Sequence, residues 1–212
     1  CLYGFYYAAI EMEAWGGHTI FMPDGPPLCG SPIITRAEQI DTLIPPAIET
    51  APGLQRVLDT IRGLKERVGD SVPIIGVAVS PCSVPVMQMG CDNYLELIYE
   101  QPGRFERLMQ ANITFSVNWA NAQLAAGATA ICYFDPVSST TNIPRELYLK
   151  TGQTVARQAL SRIKGPTATH MASGRALPII GEIADTGTAI IGVSALEDLA
   201  ALKAAANGRV SL

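Results

Sequence analysis

The sequence predicts an α/β fold, a (β/α)8 TIM barrel of which this chain carries an incomplete set of strands, and three observations carry that expectation. First, "AWGGHTIFM" (14–22), "LAAGATAICYF" (124–134) and "IADTGTAIIGV" (183–193) share one pattern: an apolar helix end meets glycine and a β-rich apolar run follows. Glycine ends a helix well because it enters the left-handed region without a Cβ penalty. Second, the runs are continuously apolar rather than alternating, as a parallel sheet buried on both faces requires. Third, they alternate with helical segments at spacings of roughly 20–55 residues, which marks βα units. An open doubly wound sheet shares that alternation. However, no GxGxxG follows a strand and no GxxxxGK(S/T) occurs, so dinucleotide and P-loop readings lose their support.

Taken in order, strands are expected near 18–22, 72–79, 128–134, 166–172, 188–193 and 208–212. Between the first two, Leu54, Val57, Leu58, Ile61, Leu64 and Val68 recur at three and four residues, giving one apolar helical stripe that Gly69 can end. Asp92 can cap a helix running to about Gln101, where Pro102-Gly103 breaks it, and a longer helix continues to Ala126. Pro144 suits the first turn of a helix reaching about Lys164. "ALEDLAALKAAANG" closes the series, with Asn207-Gly208 as its stop. No Ser/Gly-rich or charged linker interrupts this order, so residues 1–212 are expected to form one barrel domain lacking N- and C-terminal portions. Such an arc leaves an unpaired parallel edge at 208–212. Further residues, disorder or another chain, as in a homo-oligomer, must deal with it.

Composition narrows the function classes. Hydrophobic residues make up 48% and charged residues 16%, the balance of a globular chain. A net charge of −4 and a pI near 5.2 give no electrostatic reason to expect nucleic acid. No apolar run reaches the roughly 18 residues of a membrane span, so no membrane partner is expected. The start, "CLYGFYYAAIEMEAWGG", has neither the basic region nor the cleavage site of a signal peptide, and no initiator Met. Residue 1 is therefore not expected to be the natural start. Five cysteines (Cys1, Cys29, Cys82, Cys91 and Cys132) with no CxxC pair argue against a disulfide framework or zinc ribbon, and favour a reduced, cytoplasmic protein.

Barrel chemistry gathers at the C-terminal ends of strands. Those ends read "FMPDGPPLCG", "SPCSVPVMQMG", "YFDPVSSTT", "HMASGR" and "VSALED", a set sparse in charge that offers Asp24, Asp135, His170 and Glu197. Asp135 is either a carboxylate aimed into the barrel mouth or a turn aspartate capping its own loop. For His170, the strand period of two places residue 172 on the same face, so an H-x-C would present two metal ligands; here that residue is Ala172. His170 then reads either as a ligand or as a hydrogen-bonded polar histidine near a cavity. His18, at the start of its strand, reads as structural. Cys82, Met87 and Met89 suit either a bulky apolar ligand or plain core filling. The aromatic "GFYY" run (4–7) can line a pocket or cover a helix.

The blocks "EMEAWGGHTIFMPDGPP", "VPIIGVAVSPCSVPVMQMGCDNYLELIYEQPGRFERLMQ", "GATAICYFDPVSSTTNIPRELY" and "THMASGRALPIIGEIADTGTAIIGVSALEDLAALK" resemble, in order and spacing, the uroporphyrinogen decarboxylase superfamily, which includes the cobalamin-dependent methyltransferases. The resemblance runs from about residue 8 to 212. It implies a barrel of the uroporphyrinogen decarboxylase type. Tyr7 and Met87 stand where the decarboxylase carries an aspartate and a tyrosine, and "FDPVSS" resembles the methyltransferase loop, so the methylcobamide:coenzyme M type of branch is favoured. That branch implies methyl transfer with methylcobalamin or a corrinoid protein as partner, and zinc held by a histidine and two cysteines. His170 matches the histidine, Ala172 replaces the first cysteine, and the second would fall beyond Leu212. The implied set is His170 and Asp135 as catalytic residues, His170 also as a zinc ligand, and Cys82, Met87, Tyr133, Ser138, Ser139 and Tyr7 around a small-molecule methyl donor or acceptor. The alternatives are porphyrinogen decarboxylation, which needs cationic side chains that only Arg175 offers near a strand end, and a non-catalytic binding member of the family.

Overall fold

A computed structural model describes residues 1–4 and 7–212. Its main sheet is parallel and five-stranded: β1 (Leu2–Tyr3), β4 (Ile74–Val79), β5 (Ala130–Phe134), β6 (Thr167–His170) and β7 (Ile190–Gly192), in that spatial order. The order follows the chain, as each βα unit adds its strand beside the last. β2 (Thr19–Ile20) and β3 (Leu28–Cys29) form a separate antiparallel hairpin, with Thr19 opposite Cys29 and Ile20 opposite Leu28.

This hairpin corrects the expectation of a parallel strand at 18–22. The run is stopped by "PDGPP", whose prolines cannot donate to a ladder, and the chain turns back on itself. The first parallel strand is instead Leu2–Tyr3, too short to carry a periodic signal. At the other end, the run 208–212 contributes a single bridge, Ser211 to Ile190, rather than a full strand. The remaining four strands, β4 to β7, lie inside their expected ranges, each trimmed at one or both ends.

Register separates the two faces of the sheet. Ala78, Tyr133, Thr169 and Ile191 lie in one row, and Phe134, His170 and Gly192 in the next, with Val79 beside Phe134. Ile74, Ala78, Ile131 and Tyr133 pack into a core with α2 (Pro52–Val68), α5 (Pro102–Ala125) and α7 (Gly152–Leu160). Ile191 packs similarly with α8 (Ile180–Ala184) and α9 (Leu199–Ala206). The opposite face carries Val77, Cys132, Phe134, Ala168, His170 and Gly192, and corresponds to a barrel lumen. Helices gathered on one face of a parallel sheet make this an arc of a β/α barrel.

The stripe expected along α2 is real: Leu54, Val57, Leu58 and Ile61 are buried. The segment after β4 is helical, α3 (Val84–Met89), followed by α4 (Cys91–Glu100), whose N-cap is Gly90 and whose first turn contains Asp92. The single helix expected from 144 to 164 is divided at Thr151 (φ −114°, ψ −79°) into α6 (Arg145–Lys150) and α7. Beyond β1, the edge of β4 left without a strand partner is buried and satisfied by side chains. Gln123 of α5 accepts from Val77 N at 2.9 Å and donates to Val77 O at 2.8 Å. Val79 N donates to Glu11 Oε1 at 3.0 Å, and Val79 O accepts from Ser116 Oγ at 3.0 Å; Glu11 belongs to α1 (Ala8–Ala14). No helix among the described residues is long and apolar enough to cross a membrane.

Candidate functional site

Two polar groups form at the C-terminal ends of β4, β5 and β6, and the sheet separates them. The first lies on the helix side. Asp135, only 3% exposed, accepts from Ser80 Oγ at 2.6 Å and Ser83 Oγ at 3.0 Å, tying the loop after β4 to the end of β5. Burial pushes the Asp135 carboxyl above the usual carboxylate range, and the serine hydroxyls pull it partly back. Ser138 lies beside Asp135, but its buried hydroxyl has no hydrogen bond of acceptable geometry. Cys82 is in the same region, buried against Met109 Sδ at 3.8 Å and close to Tyr94; desolvation raises its thiol far above the ordinary value. Cys82 and Ser138 share a void of about 10 Å3, room for a single water molecule. Tyr133 is also on this side, buried in the helix-facing core with its hydroxyl unpartnered.

The second group lies on the lumen face, where His170 is half-buried. Its ring sits 5.6 Å from the ring of Phe134, tilted at 49°, and Nδ1 lies 3.5 Å from Gly192 O. Two rows below, Cys132 shares this face, and burial pushes its thiol up to about 11. No hydrogen bond among the described residues reaches His170 Nε2.

Asp135, Ser138 and Cys82 therefore come together, while His170 stands across the sheet from them. The four were expected around one cavity. The difference is one of parity: Phe134, not Asp135, is the β5 residue paired with His170, and the next residue turns the other way. What does link the two groups is the main chain, since Asp135 N donates to His170 O at 2.9 Å. Ala172 does not extend the His170 face either. β6 ends at His170 and Ala172 has φ 53°, so the period of two no longer applies.

The other expected residues are dispersed. Ser139 is buried between loops, its Oγ accepting from Asn142 Nδ2 at 3.4 Å. Thr140 Oγ1 donates to Arg175 O at 3.0 Å and Arg175 N donates to Thr141 Oγ1 at 3.0 Å, so the loops after β5 and β6 are laced together. Met87, on α3, faces Cys29 Sγ at 3.5 Å. Tyr7 is the N-cap residue of α1; Phe5 and Tyr6 of the aromatic run lie outside the described residues. His18 is exposed beside the hairpin. The Glu197 carboxylate caps a short turn, accepting from Ala176 N at 2.7 Å and Leu177 N at 3.0 Å. Gly192 and Phe134 were not anticipated as neighbours of His170. The available signal was a glycine closing the apolar strand "AIIG", a frequent mark of close approach.

The resemblance implied zinc at His170, and the donor set here does not fit it. Position 172 offers a methyl group, and no three His, Cys, Asp or Glu side chains converge as a metal-binding group among the described residues.

Residues 2–212 match the family model described as uroporphyrinogen decarboxylase (URO-D). Among curated proteins, the chain is 27% identical over 146 residues to a methylcobamide:CoM methyltransferase MtaA of Methanosarcina barkeri (strain Fusaro / DSM 804), covering 66% of this chain and 43% of that protein. It is 28% identical over 191 residues to a uroporphyrinogen decarboxylase of Chlorobaculum parvum, covering 86% of this chain and 53% of that protein. The chain thus spans about half the length of the curated relatives it matches. A solved methyltransferase from Methanosarcina mazei superposes with a TM-score of 0.81 at 22% identity, covering 98% of this chain and 62% of that one, and shares the fold.

Proposed function

The chain belongs to the uroporphyrinogen decarboxylase (URO-D) family, and from that premise we propose that the full-length protein is a methyltransferase that exchanges a methyl group between a small molecule and a corrinoid held by a partner protein. The observation that carries this reading is the character of the lumen face. It presents His170 among Phe134, Cys132, Val77, Ala168 and Gly192, with no cationic side chain in those rows. A porphyrinogen bears several carboxylates, and binding them away from water requires cations. Arg175 is exposed, and its main chain is tied to the Thr140–Thr141 loop. An apolar face with one basic nitrogen suits a neutral methyl group and a single proton transfer.

The corrinoid supplies an electrophilic methyl group. In this reading, His170 Nε2 takes the proton from the acceptor's nucleophilic atom as that atom bonds to the methyl carbon, and the electron pair of the broken bond stays with the corrinoid. In the reverse direction the imidazolium returns the proton to the leaving atom. Phe134 and Cys132 keep water from the reacting carbon. Asp135 takes no part in the proton transfer and holds the strand ends in place.

The test is methylcobalamin demethylation by the full-length protein, run beside uroporphyrinogen decarboxylation. Demethylation should fall about 10²–10⁴-fold in His170→Ala, the usual contribution of a general base. Undiminished demethylation in that variant, or decarboxylation without demethylation, would overturn the reading.

A further inference from the structure

We propose that Gly192 is a positioning residue: its carbonyl holds His170 in the Nδ1–H tautomer, and its missing side chain makes the space in which the imidazole lies, leaving Nε2 as the reacting nitrogen. This deepens the methyl-transfer reading and rests on it for the meaning of the free nitrogen.

Gly192 has no need to be glycine for its own backbone. Its φ lies outside the left-handed region, unlike Gly69, Gly90 or Gly187, so an L residue fits the main chain. What excludes a side chain is the neighbouring ring. A Cβ on Gly192 would stand 2.6 Å from His170 Nδ1, 3.2 Å from Cγ and 3.5 Å from Cβ. The nearest two atoms belong to a ring held on its other flank by Phe134 at 5.6 Å. The imidazole therefore fills the place of the absent side chain and cannot yield toward β5.

The carbonyl of Gly192 is itself pinned. It accepts from Met171 N at 3.1 Å in the ladder between β6 and β7, and its second lone pair faces Nδ1 at 3.5 Å. A carbonyl can only accept, so the contact favours Nδ1 as the donor in the neutral ring, with the lone pair left on Nε2. Free histidine prefers the opposite tautomer, so the arrangement selects the less common form. The same carbonyl contact would orient Nε2 toward any ligand that enters the lumen.

The test is nitrogen NMR on full-length protein labelled with 15N-histidine, with His170→Gln identifying the His170 signals. The neutral ring should show a proton on Nδ1 and a bare Nε2 in excess over the other tautomer, reversing the preference of free histidine. Gly192→Ala should abolish that excess and lower the kcat for demethylation at least about tenfold, with KM changed much less, because the ring is displaced by the order of an ångström. The wild-type spectrum needs no variant to fold, so the tautomer remains testable if Gly192→Ala is unstable. A dominant Nε2–H tautomer in the wild type, or a well-folded Gly192→Ala with unaltered tautomer and kcat, overturns the assignment. The Nδ1–H tautomer in a protein without methyl-transfer activity would instead remove the methyl-transfer reading and leave the orientation of the ring standing.

Discussion

Replacing Asp135 separates what its shape does from what its charge does. Both serine hydroxyls donate to one oxygen, Asp135 Oδ1, at 2.6 and 3.0 Å, inside a region where Ser80, Ser83 and Ser138 are each at most 5% exposed. Asp135→Ala leaves two buried hydroxyls without an acceptor, at about 1–3 kcal/mol each, while relieving the cost of an enclosed carboxylate; the net loss should be about 2–4 kcal/mol. Asp135→Asn keeps an oxygen where Oδ1 stands and removes the charge, so its loss at neutral pH should stay within about 1 kcal/mol. The direction of the carboxyl shift adds a pH signature. Burial raises Asp135 above its unfolded value, so between the two values the folded protein binds more protons. The group's contribution to stability is full below the unfolded value and is lost as pH rises through the folded one. Asp135→Asn should therefore gain on the wild type across that window. Urea unfolding at several pH values, with unchanged m, measures all three. If Asn proves as damaging as Ala, or the wild type gains on Asn as pH rises through the window, the picture of a neutral-shape clamp is wrong.

Two further substitutions test the fold around the site. Gln123→Leu leaves the Val77 peptide without either partner and should cost about 2–3 kcal/mol, with amide exchange at Val77 accelerated beyond that of the neighbouring even-numbered residues of β4. Asp198→Ala removes the cap that accepts from Ala200 N and Ala201 N and should cost about 1 kcal/mol, read as a shifted unfolding midpoint; no change would mean that α9 is held by packing alone.

Much of the architecture was legible because it depends on local patterns. The Leu54-to-Ile61 stripe, the apolar runs at β4, β5 and β7, and the Asn207 stop (φ 49°) each follow from the chemistry of neighbouring residues. The family was legible too, through the order of its blocks. Where the expectation failed, the deciding contacts were distant in sequence. Thr19–Ile20 is as apolar as a sheet strand, yet its partner is Leu28–Cys29, chosen by a proline-rich turn. Asp135 and His170 both stand at strand ends, but the register places Phe134 beside His170, and that shift of one residue moves a carboxylate to the other side of the sheet. His170 could be named from the sequence as the residue to watch. Only tertiary structure decided what surrounds it, because Phe134 and Gly192 approach it from strands 36 and 22 positions away, and side-chain proximity across a parallel sheet depends on register rather than on spacing along the chain.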